Sequence, residues 1–273
     1  MLGAIIGDVA GSRFEWNNNK NKYGYDLFVN DRKICFATDD SIMSLAIARA
    51  FSATENFADN IDILKNNIIK QMKKFGKRYP NCGFGGYFHK WVLSEEILPP
   101  YNSFGNGSAM RVSPCAWAAN SLSQTIQFAK VSAEVTHNHP EGIKGAEAVA
   151  AAIYLSRLGK TMKEIKKYIT ENYYKIDFTL EEIREKYTFD VTCQGSVPQA
   201  LQAFFESVSF EDAIRNAISI GGDSDTIAAI TGSIAEAYYG GIPPQIKNEV
   251  LNVFLDNKQK STYLEFASKF VKY

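Results

Sequence analysis

Three observations predict an all-α fold for this chain of 273 residues. Helix-start signals recur along it, strand patterns are nearly absent, and two segments are apolar or small on every side. Helices of that last kind belong in the middle of a protein. No shift of composition and no long linker rich in Ser, Gly or Pro divides the chain. We therefore expect one compact multi-helix domain that spans residues 1–273.

Helix starts are predicted wherever a hydroxyl side chain stands three residues before a second capping side chain. Such pairs are Ser121 with Gln124, Thr161 with Glu164, Thr179 with Glu182, and Ser209 with Asp212. Prolines suit the first turn of a helix, where their missing N–H costs little, and glycines often follow the last turn. Further starts are thus expected at Pro140, Pro198 and Pro243-Pro244, and ends at Gly159 and Gly240-Gly241.

Alternating β-branched runs bounded by turns are hard to find, and only one short segment, from Tyr187 to Thr192, is a fair strand candidate. Two other segments have irregular patterns. Residues 17–31 are polar and typical of a surface loop, whereas residues 79–86 are rich in glycine and precede a helical pattern. We expect at least ten helices joined by short loops.

Two acidic clusters lie near opposite ends of the chain, and each opens one of the apolar or small-residue segments. A carboxylate carried into the interior is costly unless its charge is compensated, and oxygen-only ligands favour Mg²⁺, Mn²⁺ or Ca²⁺. The alternative is that these residues only cap helices, but capping needs one side chain rather than three. We therefore predict a divalent metal site. The clusters are Thr38-Asp39-Asp40 and Asp223-Ser224-Asp225-Thr226.

Three other features are weaker indications of a binding site. Gly105-Asn106-Gly107-Ser108 permits close backbone approach and precedes a helical pattern, which suits a phosphate, although a plain turn with a cap explains it equally well. His137 can donate to a ligand or serve as a structural loop histidine. Glu15 lies where the first helix should end, and is free to face a cleft.

Composition excludes several classes of protein. Thirty basic and thirty acidic side chains leave no net charge, which argues against nucleic acid as a partner. No apolar stretch is long enough to span a bilayer, and the N-terminus does not resemble a signal peptide. Four widely spaced cysteines suit free thiols in a reducing compartment. We expect a cytoplasmic monomer with no membrane partner.

Taken together, these motifs resemble the ADP-ribosylglycohydrolase family, which includes dinitrogenase-reductase-activating glycohydrolase and the eukaryotic ADP-ribosyl hydrolases. The similarity covers nearly the whole chain in order. It implies an all-α hydrolase with a dinuclear metal cleft, which holds two Mg²⁺ or Mn²⁺ ions and releases ADP-ribose. The matching segments are Gly7-Asp8 with Glu15, Thr38-Asp39-Asp40, Gly105 to Arg111, Thr136-His137, Gly145-Ala146, and Gly222 to Ala228.

The resemblance implies a role for particular residues. Glu15 and Asp40 are the expected catalytic groups, and Ser41 departs from the threonine of many relatives while keeping a hydroxyl. The expected metal ligands are Thr38, Asp39, Asp40, Asp223, Asp225 and Thr226. The expected substrate-binding residues are Glu15, Ser103, Phe104, Gly105, Asn106 and His137.

The expected substrate is an ADP-ribosylated protein, modified on arginine or serine, or a small molecule that contains ADP-ribose. Two alternatives use the same residues: a dinuclear metal phosphohydrolase, and a relative that binds ADP-ribose without cleaving it. The presence of every expected acid counts against the second. The product distinguishes the first alternative from an ADP-ribosyl hydrolase, because a phosphohydrolase releases free phosphate rather than ADP-ribose.

Overall fold

The computed structural model describes residues 1–273 and confirms the all-α prediction, since it contains fifteen α-helices and no strand. The strand candidate that ends at Thr192 forms only one antiparallel bridge, between Thr192 and Gly105. A 3₁₀ turn, Ser12–Phe14, follows the first helix, and a π-helical turn, Val250–Phe254, follows the fourteenth. None of the helices combines the length and apolarity that crossing a lipid bilayer requires.

The helices, in chain order, are α1 Leu2–Gly11, α2 Asp39–Ala53, α3 Ile61–Arg78, α4 Gly86–Leu93, α5 Gly107–Met110, α6 Ser113–Ala118, α7 Leu122–Glu134, α8 Pro140–Arg157, α9 Met162–Asn172, α10 Leu180–Arg184, α11 Cys193–Phe205, α12 Phe210–Ile218, α13 Ser224–Tyr238, α14 Pro244–Glu249 and α15 Asn257–Phe270.

The predicted caps are confirmed at four helix starts, where the hydroxyls of Ser121, Thr161, Thr179 and Ser209 accept a backbone N–H three residues later. The prediction that a helix begins at Pro198 is wrong. Helix α11 begins five residues earlier because the Thr192 hydroxyl caps it, accepting from the N–H of Gly195 at 3.0 Å. Pro198 therefore lies inside a helix and forgoes one of its hydrogen bonds.

Helix α13 is the centre of the molecule and packs against α1, α8, α11 and α12. Every residue of α13 from Ser224 to Ala237 is buried, as are all ten residues of α1. Both helices are built from apolar and small side chains, which is the pattern expected of helices surrounded by protein. The two acidic segments thus open helices that reach the core.

Glycines let α1 and α13 approach to backbone contact. A Cβ atom on Gly3 would lie 2.1 Å from the carbonyl oxygen of Gly232, and one on Gly7 would lie 2.0 Å from that of Ala228. A Cβ on Gly11 would lie 2.5 Å from the carbonyl oxygen of Ser224. The helices therefore run antiparallel, and residues at the end of α1 meet the start of α13.

Candidate active site

Three buried carboxylates from three different helices meet at the start of α13. They belong to Asp8 on α1, Asp40 in the first turn of α2 and Asp225 in the first turn of α13. One carboxylate oxygen from each lies within 4.8 Å of the other two. We call these residues the inner acidic group. The long-range packing of α1, α2 and α13 thus joins acids from both ends of the sequence.

A second group of three carboxylates shares Asp225 with the first. Glu15, which follows the 3₁₀ turn, and Asp223, which directly precedes α13, each place an oxygen within 4.8 Å of Asp225 and of one another. Glu15 is half-buried and Asp223 is buried. We call Glu15, Asp223 and Asp225 the outer acidic group. The shared carboxylate of Asp225 can contact whatever occupies either group.

The two predicted hydroxyls lie beside Asp40. The Thr226 hydroxyl donates to Asp40 Oδ2 at 3.1 Å, and the Thr38 hydroxyl lies 3.2 Å from the same oxygen. The other oxygen, Asp40 Oδ1, is buried and has no hydrogen-bond partner in the protein. A buried oxygen without a partner is costly, so this atom suits a cation.

Asp8 is the residue that the sequence-based site omitted. Its carboxylate accepts from the Thr38 N–H at 2.9 Å, the Thr38 hydroxyl at 2.7 Å and the Ser41 N–H at 3.0 Å, as well as from the Ser41 hydroxyl. In the sequence, Asp8 stands out only as part of the segment Gly7-Asp8 that resembles the family. It braces the start of α2, and it also belongs to the inner acidic group. The two hydrogen bonds from Ser41 hold Asp8 in place.

Asp39 is the predicted ligand that the structure brings into neither group. It is half-buried, and its Oδ1 faces the loop of residues 79–86, where a Cβ on Gly83 would lie 3.1 Å away. Burial raises the pKa of Asp39 well above its usual range, and the charges of Asp225 and Asp8 raise it further. The charges of the two acidic groups therefore raise the pKa of Asp39, although its carboxylate belongs to neither group.

Burial raises the pKa of every carboxyl in the two groups, and the charges of neighbouring carboxylates raise it further for each of them except Asp225. Burial, followed by the charge of Asp225, raises the pKa of Asp8 to about 7, although hydrogen bonds from Ser41 and Thr38 oppose the rise. Burial and the charges of Asp225 and Asp8 raise the pKa of Glu15 to about 7 as well. The pKa values of Asp40, Asp223 and Asp225 rise for the same primary reason, burial. The protein alone thus leaves these charges uncompensated.

The donor set fits a hard divalent cation. Every side chain in the two groups offers oxygen, the adjacent threonines offer more oxygen, and no histidine belongs to either group. Oxygen-only sets of this kind suit Mg²⁺, Mn²⁺ or Ca²⁺ better than zinc or copper. Asp225 belongs to both trios, so its carboxylate is common to the two clusters of oxygen donors.

The loop Gly105-Asn106-Gly107-Ser108, which we call the glycine loop, lies directly beside the outer acidic group. Asn106 connects the two, since its side-chain amide donates to Asp223 Oδ2 at 2.6 Å and to the Ser196 hydroxyl at 3.0 Å. The Ser103 hydroxyl accepts from the N–H of Gly105 at 3.1 Å and so shapes the turn. Phe104 is 45% exposed and packs against the His139 ring at 5.3 Å between centroids. An aromatic face is therefore available beside the loop.

His137 borders the same loop from the other side. Its Nε2 atom lies 3.6 Å from the position that a Cβ on Gly105 would take and 3.1 Å from that of a Cβ on Gly107. Burial lowers the pKa of His137 well below its usual range, and the positive charge of Arg111 lowers it further. The structure thus brings the predicted binding residues 103–106 together with a neutral histidine.

Comparisons with known proteins show which family this chain is similar to. A family model described as ADP-ribosylglycohydrolase matches residues 1–272. Human ADP-ribosylhydrolase ARH3 is 26% identical over 88% of this chain and 84% of its own length. The ADP-ribosylarginine hydrolase Tri1 of Pseudomonas putida is 25% identical over 90% of this chain and 71% of its own length.

A solved structure of an ADP-ribosylglycohydrolase-related protein complex has the same fold. It superposes with a TM-score of 0.70 over 97% of this chain and 94% of that chain, at 20% sequence identity. The match of the family model to nearly the whole chain establishes more than the fold. The chain belongs to the ADP-ribosylglycohydrolase family and is an ADP-ribosyl hydrolase, a glycosidase that acts on N- or O-glycosyl bonds.

Proposed function

We propose that this enzyme releases ADP-ribose from an arginine or serine side chain of a modified protein, or from a small molecule, with the help of two Mg²⁺ or Mn²⁺ ions. The convergence of the two acidic groups on Asp225, directly beside the glycine loop, is the observation that carries this proposal. It supports a site in which oxygen ligands for two cations would lie next to a loop that would accept a diphosphate. The relatives named for ADP-ribosyl hydrolysis support the same chemistry.

The proposed ligands divide between two positions. Asp8, Asp40 and Asp225 would hold one ion, and Glu15, Asp223 and Asp225 would hold the other. Thr38 and Thr226 would complete the first position, because both hydroxyls lie beside Asp40. Asp39 remains a proposed ligand with less support, since it joins neither trio. When bound, such ions would neutralise the carboxylates, hold ribose hydroxyls and lower the pKa of a water molecule.

Glu15 is the proposed acid–base group of the reaction, together with Asp40. Cleavage of a glycosidic bond at an anomeric carbon passes through an oxocarbenium-like state and needs a carboxyl that can accept or donate a proton. Glu15 is half-buried at the edge of the outer acidic group, and burial raises its pKa to about 7. A carboxyl with a pKa near the working pH is suited to proton transfer.

The glycine loop is the proposed diphosphate site. Glycines at positions 105 and 107 leave open the space that a Cβ would fill beside His137. Ser103 and Asn106 fix the loop, and the exposed ring of Phe104 offers a surface for the adenosine end of the ligand. Contacts at this distance from the reacting bond supply binding energy that can be used to orient the ribose over the carboxylates.

Product analysis with a small substrate panel tests the proposal. The purified protein is incubated with two matched peptides, ADP-ribosylated on arginine or on serine, and with an O-acyl-ADP-ribose, in Mn²⁺ or in chelator. We expect free ADP-ribose from at least one substrate in Mn²⁺ and none in chelator. Release of inorganic phosphate or AMP instead would favour a phosphohydrolase. Equal release of ADP-ribose in Mn²⁺ and in chelator would show that the reaction does not need a metal ion.

A further inference from the structure

Arg111 is a buried arginine that has no acidic partner. Its side chain is 1% exposed, and it forms no ion pair anywhere in the structure. Its Nη2 group donates instead to the Ser132 carbonyl oxygen at 3.0 Å and to the Thr136 hydroxyl oxygen at 2.9 Å. Buried charged side chains are normally paired, so an unpaired guanidinium behind the glycine loop calls for a reason other than stability.

The hydrogen bonds of Thr136 connect Arg111 to His137. Thr136 Oγ1 lies 2.7 Å from His137 Nδ1. A guanidinium can only donate, so the Thr136 oxygen accepts from Arg111 and its own proton remains available for the histidine. A hydroxyl oxygen has two lone pairs, so Thr136 can either donate this proton to His137 Nδ1 or accept a second hydrogen bond from it. In the first arrangement the neutral imidazole carries its ring proton on Nε2.

The opposite edge of the ring faces the proposed diphosphate site. His137 Nε2 has no hydrogen-bond partner in the protein, and it borders Gly105 and Gly107, whose missing side chains leave space beside it. The ring is buried and stays neutral, because burial and the Arg111 charge lower its pKa well below the usual range. A neutral ring can donate from Nε2 only if its proton is fixed there.

We propose that Arg111 and Thr136 are positioning residues that hold His137 with its proton on Nε2, so that this N–H donates to a diphosphate oxygen in the Gly105–Gly107 loop. The identity of the ligand rests on the proposed function. Arg111 acts through Thr136 and does not touch the ligand. With the proton on Nδ1 instead, Nε2 would present a lone pair to an anion and repel it.

The Tyr101 hydroxyl is the other polar group near Thr136. Burial raises the pKa of Tyr101 to about 12, although the charge of Arg111 and the side chain of Thr136 oppose the rise. A hydroxyl can donate or accept, so Tyr101 competes for the Thr136 proton in principle. Arg111 and His137 both lie within ordinary hydrogen-bond distance of Thr136 Oγ1, and we assign the proton to His137 on that geometry.

Nitrogen-15 NMR of the imidazole rings tests the proposal in the unmodified protein. The chain has three histidines, so the ring nitrogens of His137 can be identified with a His137→Gln reference spectrum. We expect Nδ1 at the shift of an unprotonated nitrogen and Nε2 at that of a protonated one, near neutral pH and without ligand. A protonated Nδ1 would overturn the proposal. This measurement does not depend on any hydrolytic activity.

Matched variants of Thr136 test the consequence for binding. Thr136→Val keeps the shape and removes the hydroxyl, so we expect His137 to populate both tautomers and the ADP-ribose dissociation constant to rise about tenfold, the loss of one hydrogen bond to a charged group. Thr136→Ser should restore both, and Tyr101→Phe should leave the proton on Nε2. Unchanged tautomer and affinity in Thr136→Val would contradict the proposal.

A failure of the proposed function can be distinguished from a failure of the tautomer proposal. If the wild-type protein bound no ADP-ribose, the proposed function would fail, and with it the assignment of the ligand. The protonation state of the ring in wild type and in Thr136→Val would still decide whether the Thr136 hydroxyl, which accepts from Arg111, sets the tautomer.

Discussion

At the scale of single residues, the site converges on Asp225. It is the only side chain shared by the inner and outer acidic groups. After burial, its charge is the largest influence that raises the pKa values of Asp8, Asp40 and Glu15. Asp39 is also affected by Asp225, but it belongs to neither group. The two aspartates should therefore differ in their importance.

Asp225→Asn should abolish ADP-ribose release, whereas Asp39→Asn should retain measurable turnover. The first change removes a charge from both proposed ion positions, and the second removes none from either trio. Steady-state kinetics in saturating Mn²⁺ checks this, with the exposed Asp59→Asn as a matched control that should behave as wild type. An inactive Asp39→Asn variant together with an active Asp225→Asn variant would contradict the prediction that Asp225 is the more important of the two.

Glu15→Gln should lower kcat by roughly the hundredfold expected for losing a positioned acid–base group. The change removes the titrating oxygen while keeping the size of the side chain, and five other carboxyls remain nearby. ADP-ribose affinity should change much less than turnover. Single-turnover measurements with a titration of ADP-ribose separate these effects. A Gln variant with near-normal kcat would leave Glu15 as a bystander.

At the scale of elements, the segment of residues 17–31 fixes the position of Glu15 relative to Asp223 in the outer acidic group. Lys20 Nζ donates to the carbonyl oxygens of Tyr187 at 2.8 Å and Ile220 at 2.6 Å. The Asn18 side chain accepts from the N–H of Gly222 at 2.5 Å. These bonds join the chain just after Glu15 to the turn just before Asp223.

Lys20→Met should therefore lower kcat by about tenfold while changing KM less, because loosening the segment misplaces Glu15 relative to Asp223. Lys22→Met is the matched control. It lies in the same segment but pairs with Asp212 on α12, at 2.7 Å, so its kcat should equal that of wild type. Equal kinetics for the two variants would mean that the Lys20 bonds do not position the site.

Local sequence patterns predicted most of the helices, but they predicted the residues of the candidate active site less completely. Thr38 and Asp223 stand at helix starts where capping residues are expected, so sequence alone located both acidic clusters. Asp39 and Asp40 could not be separated by pattern, because neighbouring residues on a helix point about 100° apart and only one can face a given site. Asp8 was missed as a group member because its role depends on α1 touching α13.

The spacing of Gly3, Gly7 and Gly11 was the available signal for that contact. Glycines four residues apart share one face of a helix and permit another backbone to approach closely. In the structure they contact Gly232, Ala228 and Ser224, and this packing carries Asp8 to Asp225. The sequence pattern, however, did not indicate that α1 packs against α13, because this contact joins opposite ends of the chain.

At the scale of the whole molecule, the metal-free protein should lose stability as the pH rises. Asp8 and Glu15 titrate near pH 4 in an unfolded chain, but their pKa values are raised to about 7 in the fold. The folded state thus binds more protons than the unfolded state between these values. The free energy of unfolding must then fall as the pH increases from about 4 through about 7.

Thermal unfolding checks this dependence. In chelator, the Tm should be lower at about pH 8 than at about pH 5.5, by at least ~3 °C, and Mn²⁺ should restore it at the higher pH because the ion binds only the folded state. Asp225→Asn should show a smaller loss with pH, since it removes the charge that the others repel. A Tm that rises over this range in chelator would be inconsistent with the repulsion inferred here.

The most direct test of the central claim is anomalous diffraction from crystals grown or soaked in Mn²⁺. If carboxylates from both ends of the chain form one dinuclear centre, the anomalous map should show two peaks. One should contact Asp8 or Asp40, the other Glu15 or Asp223, and both should contact Asp225. Two peaks sharing Asp225 are the result we expect. No peak among these carboxylates, with Mn²⁺ bound elsewhere or not at all, would contradict the account.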